Sequence, residues 1–505
     1  MTGGASESPR RRDNQRHSAR RPTQDSAGNI WERTQRKQES PASSAGAPQN
    51  GRQLAYAVLH EFDQTDQFIQ DILSRFDSTH SLRSADRALA VDLASGVVRR
   101  ARTLDAVVQS RMSRARHEVE PDLWRVLRIG AYQLLFANTP DHAAVDSTVE
   151  LCRDLNRHRW TGFVNGVLRN ISRLISGPCS ESISSRTVPV ESGRWLMLNE
   201  DIFPNPETNM VEWIGLAFSL PRFLAERWYS RFAATPNKLM AICMKSISPP
   251  DMTLRVNSML ATRSEIIEQL NAVGVSASAG NPENAIRIDG TLRLDALPGY
   301  GSGHWCVQDE AAMSASLLLS PQPGEQILDL CAAPGGKTTH LAELSHDQAI
   351  ITACDVATGR LRRIEENAAR LQLHSIRTHL MGKDGNAMPD GPFDAALVDV
   401  PCSNTGVLNR RPEARWRCDE NSLRELVNLQ TRLLLQACER VRPGGRVVYS
   451  TCSLEPEENR GVVDAVLSAM KEFRLMAEHL HLPGLPADGA YQAVLQRNGP
   501  DQPDR

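Results

Sequence analysis

No apolar run in this 505-residue sequence reaches the ~18 residues that a membrane-spanning helix needs, and no secretory leader core stands near the N-terminus. The ten cysteines (152, 179, 243, 306, 331, 354, 402, 418, 438 and 452) include no two within three residues of each other, which excludes a zinc knuckle and a Cys-x-x-Cys redox pair. Spread cysteines without an export signal predict a protein of the reducing cytoplasm. A strong charge bias is also lacking. With 58 Lys and Arg against 60 Asp and Glu, the net charge of -2 rules out a uniformly basic nucleic-acid binder but leaves room for a local basic face. Neither the phosphate-loop spacing G-x-x-x-x-G-K-[ST] nor G-x-G-x-x-G occurs, and no internal repeat is visible. What remains is a globular composition, 40% hydrophobic and 23% charged, long enough for about three domains.

Residues 1–50 read as a disordered basic tail. Nine Lys or Arg, five acids and a single aromatic, Trp31, cannot bury enough apolar surface to offset chain entropy. Residues 51–180 read as a helical bundle. Phe163, Val164, Val167, Leu168, Ile171, Leu174 and Ile175 share one helix face, and Trp124, Leu127, Ala131, Leu134 and Leu135 form another stripe. This stretch has no Lys but 17 Arg, six of them between Arg99 and Arg116. Such a cluster suits RNA phosphate, or is an ordinary solvated face. Residues 181–205 read as a linker with Ser, Gly and Pro, 206–320 as a mixed α+β segment with a helix near Arg222–Phe232, 321–498 as an α/β domain, and 499–505 as a short tail.

Within the α/β domain, strands are predicted at Gln326–Cys331, Ile350–Asp355, Phe393–Val400 and Arg446–Thr451, with Ala490–Gln496 closing the sheet. Helices between them imply a mostly parallel sheet covered on both faces. The first strand runs into Cys331, Ala332, Ala333, Pro334, Gly335, Gly336 and Lys337. Small residues and two glycines let a ligand approach the backbone, although a tight strand–helix connection needs the same residues. The second strand ends in Asp355, placed to hold ribose hydroxyls or to cap a helix, and Asp384 lies where the third should end. Acids at strand tips without a phosphate cradle point to a nucleoside carrier lacking phosphates, and S-adenosylmethionine fits both features.

The next two strands run into Asp399-Val400-Pro401-Cys402-Ser403 and Ser450-Thr451-Cys452-Ser453. Either cysteine alone is readily a core residue; two at matching strand ends, with Asp399 on the cofactor side, are harder to assign to packing. A thiol beside a methyl donor suits attack on a pyrimidine. Addition at C6 turns C5 of cytosine into a nucleophile, which is covalent catalysis. Asp399 would hold the proton at N3, and a second thiol would help release. The residues alone do not decide which cysteine attacks.

Three motifs, Asp-Leu-Cys-Ala-Ala-Pro-Gly-Gly-Lys-Thr, Asp-Val-Pro-Cys-Ser-Asn-Thr-Gly and Ser-Thr-Cys-Ser-Leu-Glu-Pro-Glu-Glu-Asn, together resemble the RNA cytosine-5 methyltransferases, and among these the bacterial RsmB (Sun, Fmu) 16S ribosomal RNA enzymes. Residues 51–175 are similar to the NusB-like domain of that family. Ser219–Leu224, Leu254–Asn257 and Gly303–Asp309 resemble its connecting segment, where Asp251 interrupts the usual run. The resemblance implies a NusB-like bundle before a Rossmann-like class I methyltransferase domain with a mostly parallel seven-stranded sheet. It implies S-adenosylmethionine held by residues 331–337, Asp355, Asp384 and Asp399, Cys452 as nucleophile, and Cys402 in product release. RNA is the implied partner, with no metal and no membrane; the sequence does not disclose the oligomeric state, for which a monomer is the expectation. A transfer RNA enzyme and a non-catalytic NusB-like adaptor are the alternatives. Beyond the motifs, Arg410, Arg411, Arg415 and Arg417 follow Cys402 closely, with Trp416 among them, and are expected to contact RNA.

Overall fold

The computed structural model describes residues 1–3, 47–79, 82–180, 183–290, 294–382, 386–484 and 487–499. Most of the expected basic tail, Asp384 and nearly all of the short C-terminal tail lie outside these residues. No helix among the described residues is long and apolar enough to cross a membrane.

The N-terminal bundle is helical from Gly51 to Leu174. Asn50 opens it by capping, its side-chain oxygen accepting from the Arg52 and Gln53 amides. The stripe on the helix Pro121–Leu135 is buried, as are Val164, Val167, Leu168, Ile171 and Leu174 on Thr161–Leu174, but Phe163 at the edge of that face is 44% exposed.

The expected linker is structured. Strands β1 (Ile175–Cys179), β2 (Thr187–Glu191) and β3 (Arg194–Leu198) form an antiparallel sheet in the order β1-β3-β2. Its anchor is Trp195, fully buried against Trp213 and Phe218. One large aromatic supplies burial that a polar composition hides, which is why this stretch reads as a linker from sequence. Next comes a four-stranded antiparallel sheet, order β5-β6-β4-β7, made of β4 (Met252–Val256), β5 (Ala277–Ala279), β6 (Ala285–Ile288) and β7 (Trp305–Val307).

The C-terminal domain is a seven-stranded sheet: β8 (Gln326–Leu330), β9 (Ile350–Asp355), β10 (Ile376–Leu380), β11 (Phe393–Asp399), β12 (Val441–Thr451), β13 (Phe473–His481) and β14 (Ala490–Arg497). The order is β10-β9-β8-β11-β12-β14-β13, parallel except for the antiparallel pairings of β14 with β12 and β13. The chain reverses its winding between β8 and β11, and the crevice at the carboxyl ends there is where such sheets bind ligands.

Residues 408–417 join this domain to the bundle, and Arg410, Arg415 and Arg417 are held by protein groups where RNA contact was expected. Arg415 is fully buried. Its guanidinium donates to the carbonyls of Pro412 (2.9 Å), Arg99 (3.0 Å), Ser219 (3.1 Å) and Ser246 (2.5 Å). Burial, with Arg99 and Arg100 close by, pulls its pKa down to about 9. Arg410 is paired with Asp488 and with Asp309 (3.1 Å). Arg417 donates to the Gln67 carbonyl (2.7 Å), and Arg411 and Arg417 both sit over the Phe68 ring. Half of the upstream cluster behaves alike: Arg99 donates to the Asn409 carbonyl (3.1 Å), Arg100 to those of Pro189 and Val190 (both 2.5 Å), and Arg102 pairs with Glu212 (2.6 Å). Carbonyl groups at loop and helix ends need donors once buried, and the arginine fork supplies several from one side chain.

Arg415→Met leaves those carbonyls without donors and is expected to lower unfolding stability by about 2–5 kcal/mol in urea titration, while the salt dependence of RNA affinity stays that of the parent. Unchanged stability with a reduced salt slope would instead put Arg415 on RNA.

Candidate active site

Neighbouring strands β9, β8, β11 and β12 deliver Asp355, the loop from Cys331, Asp399 and Cys452 to one edge of the sheet. The chain turns sharply at the end of β8, where Cys331 has φ +60°. Gly335 takes φ +98°, and a Cβ there would lie 3.2 Å from the Ile364 Cα, so glycine is required. A Cβ on Gly336 would meet nothing closer than the Gln308 Cδ at 4.0 Å, which leaves the backbone open on that side.

The side chains around the loop are fixed. Thr338 Oγ1 donates to Asp329 (2.6 Å), Lys337 Nζ pairs with Asp399 (2.7 Å), and the Ala333 amide donates to Asp355 (3.3 Å). Asp355 also accepts from the Val356 amide (2.8 Å) and lies 3.4 Å from Arg360. From β4, fully buried Arg255 reaches across to the Gly336 carbonyl (2.6 Å), Thr339 (3.0 Å), Gln308 and both oxygens of Glu343 (2.7 and 2.9 Å). This bolts the middle subdomain to the helix Gly336–Leu344. Burial raises the pKa of Asp355 against the pull of Arg360, and it raises that of Asp329, which is fully buried, to about 7. One Asp329 oxygen has no hydrogen-bond partner among the described residues. A left-handed turn, an open glycine and a buried acid at the next strand tip fit a nucleoside with a polar side chain.

The two thiols touch. Cys402 Sγ and Cys452 Sγ are 3.1 Å apart, and Cys452 Sγ is 3.3 Å from Asn404 Oδ1. Asn404 holds the left-handed conformation (φ +59°) and donates to the Cys402 carbonyl (2.8 Å). The Gly406 amide donates to the Cys452 carbonyl (2.9 Å), and a Cβ at Gly406 would collide with that carbonyl at 2.8 Å and with the Gly489 carbonyl at 2.6 Å. The two sulfurs are not equivalent. Cys402 is buried and Cys452 only half-buried. The hydrogen bond to Cys452, burial and the nearby Glu458 push the Cys402 thiol well above the ordinary range. Burial works against the Lys337 ammonium, but Asp399 outweighs it, helped by Cys452, and holds its pKa above the usual lysine value.

The structure therefore gathers Cys331–Lys337, Asp355, Asp399, Cys402 and Cys452 along one edge, and turns Arg410, Arg415 and Arg417 toward protein partners. Sequence reasoning missed Arg255, the Lys337–Asp399 pair, and the hold that the helix Arg222–Phe232 has on the loop after Cys452. From that helix Arg227 (2.6 Å) and Trp228 (3.2 Å) grip Glu455, and Arg231 donates to the Leu454 carbonyl. It also missed Glu458, which joins the serines following both cysteines. The twin Cys-Ser pairs were the available signal. Among the described residues no cluster of three or more His, Cys, Asp or Glu could hold a metal ion.

Comparison with known proteins places this geometry. The family 16S rRNA methyltransferase RsmB/F matches residues 316–494, the NusB family 49–173, and the RsmF/B-like ferredoxin-like domain 220–295. Ribosomal RNA small subunit methyltransferase B of Cronobacter sakazakii is 32% identical over 432 residues, covering 84% of this chain and 92% of its own. The crystal structure of PH0851 superposes with TM-score 0.70 at 22% identity, covering 89% of this chain and 99% of that one. The structure of NSun6 from Pyrococcus horikoshii with SFG gives TM-score 0.50 at 21% identity, covering 55% and 98%.

Asp329 carries a pH signature. A carboxyl at about 7 in the fold and about 3.9 in the unfolded chain binds a proton more tightly when folded. Its contribution to stability is fully present below pH ~4 and is lost as pH rises through ~7. Asp329→Asn is expected to flatten the stability profile in that window by on the order of 4 kcal/mol, read by urea unfolding at stepped pH. Parallel profiles for the two proteins would contradict this.

Proposed function

We propose that this chain, which belongs to the RsmB/F family of 16S rRNA methyltransferases, methylates C5 of a cytosine in small-subunit ribosomal RNA through a transient bond between Cys452 and C6, working in the cytoplasm. The observation that carries this reading is the contact of two thiols at 3.1 Å beside the cofactor-type loop. S-adenosylmethionine supplies an electrophilic methyl group when bound. Residues 331–337 fit its methionine side and Asp355 its ribose, and the SFG in the NSun6 structure, an analogue of that cofactor, supports the choice.

The chain's own residues do the rest. A cytosine stacked in RNA cannot reach Cys452, so the base must leave its stack. The Cys452 thiolate adds to C6, and the C5–C6 π pair moves to C5. The Lys337–Asp399 pair holds a proton beside N3 as the ring takes up charge. C5 takes the methyl group, a base removes the C5 proton, and the electron pair of that C–H bond restores the double bond as the C6–S bond breaks. Cys402, kept in its thiol form by its hydrogen bond to Cys452 and by burial, is suited to protonating the departing sulfur, not to attacking the ring.

Two Cys→Ala variants test the assignment. Cys402→Ala is expected to accumulate an RNA–protein adduct that survives denaturing electrophoresis, and Cys452→Ala to form none. The opposite pattern would exchange the roles. Bisulfite sequencing of ribosomal RNA from cells with and without the gene is expected to show one protected cytosine that depends on it; an unchanged pattern would overturn the substrate.

A further inference from the structure

Glu458 lies six residues beyond the proposed nucleophile and touches neither sulfur, yet it ties the two cysteine loops together. Its side chain is fully buried. One oxygen accepts from the Ser403 amide (2.8 Å) and from the side-chain amide of Gln430 on the helix Glu420–Arg440 (2.9 Å). The other accepts from the hydroxyls of Ser403 (2.5 Å) and Ser453, which lie 3.0 Å from each other. Tyr449 in β12 donates to the Glu458 carbonyl (2.6 Å), fixing the backbone beneath. Ser403 follows Cys402 and Ser453 follows Cys452, so the two residues that carry the sulfurs hang from one carboxylate.

A buried carboxylate is costly, and packing alone would be served as well by apolar side chains. Four donors converging from two loops and a helix define the separation of those loops more tightly than apolar contact would. We infer that Glu458 is a positioning residue for the thiol pair, whose carboxylate holds Cys402 in contact with Cys452. This rests on the covalent reading proposed above. Transfer of a proton between two sulfurs is sensitive to their separation, whereas addition of Cys452 to C6 does not require Cys402. Loosening the carboxylate therefore impairs release more than attack.

Glu458→Gln keeps the shape but replaces one pair of acceptor sites with donors, which then face hydroxyls or amides. The test follows formation and decay of the RNA adduct in single-turnover reactions of the full chain with S-adenosylmethionine. Glu458→Gln is expected to form adduct at close to the parent rate and to release it about 100-fold more slowly, the size of effect that a ~1 Å misplacement can produce. Adding Glu458→Gln to Cys402→Ala is expected to slow release no further, because both act through the same thiol. Should Glu458→Gln fail to fold, Ser403→Ala, which removes one donor, is expected to slow release in the same direction. Release at the parent rate in folded Glu458→Gln or Ser403→Ala protein, or effects that multiply with Cys402→Ala, would overturn the inference. Absence of any adduct in Cys402→Ala alone would overturn the covalent reading and this inference with it.

Discussion

Everything at the site depends on the parallel pairing of β11 with β12. The register sets Asp399 beside Ser450, so the two chains leave the sheet at the same level, about 4.8 Å apart. Cys402 then comes three residues after Asp399 and Cys452 two after Ser450. The sulfurs meet at 3.1 Å because both loops fold over the same edge before separating. A slip of one residue would turn every side chain of one strand to the opposite face and remove the contact. Pairing of β11 with β8 on its other side brings the cofactor-type loop to the same crevice, and the Lys337–Asp399 bridge closes the gap.

Around this edge the protein uses arginine as a fastener. Arg415 and Arg99 satisfy carbonyls where the bundle meets the catalytic domain, Arg100 where it meets β2, and Arg255 between the middle subdomain and the helix behind the glycine loop. Each serves several acceptors at once, which a lysine ammonium on a flexible stem does less well. The same fork geometry suits RNA phosphate, so the residue type could not separate the two uses.

Much of the catalytic domain was legible because its strands are apolar, short and bounded by glycine, proline and acids. Ile350–Asp355 matches its strand end for end, and the helix Arg222–Phe232 matches likewise. The edge strand β10 was not legible: Ile376-Arg377-Thr378-His379-Leu380 is half exposed and carries no buried run. The site was legible where one segment carries its own chemistry, as at Cys331–Lys337 and at each cysteine. It was hidden where a role needs partners far apart in sequence: Glu458 gains its role from Ser403 and Gln430, and Arg255 from Glu343 and Gly336. The arginines after Cys402 failed for the same reason, since nothing near Arg415 in sequence reveals the carbonyls of Ser219 and Ser246 that enclose it.

The central claim is that the Cys452 sulfur bonds to the pyrimidine. RNA carrying 5-fluorocytosine tests it directly, because after methylation the C5–F bond cannot lose fluorine as a cation and the enzyme stays attached. With the unaltered protein and S-adenosylmethionine, mass spectrometry of the digested complex should find the nucleotide on the peptide that contains Cys452. Attachment at Cys402, or an intact protein with no nucleotide on either cysteine, would contradict the account.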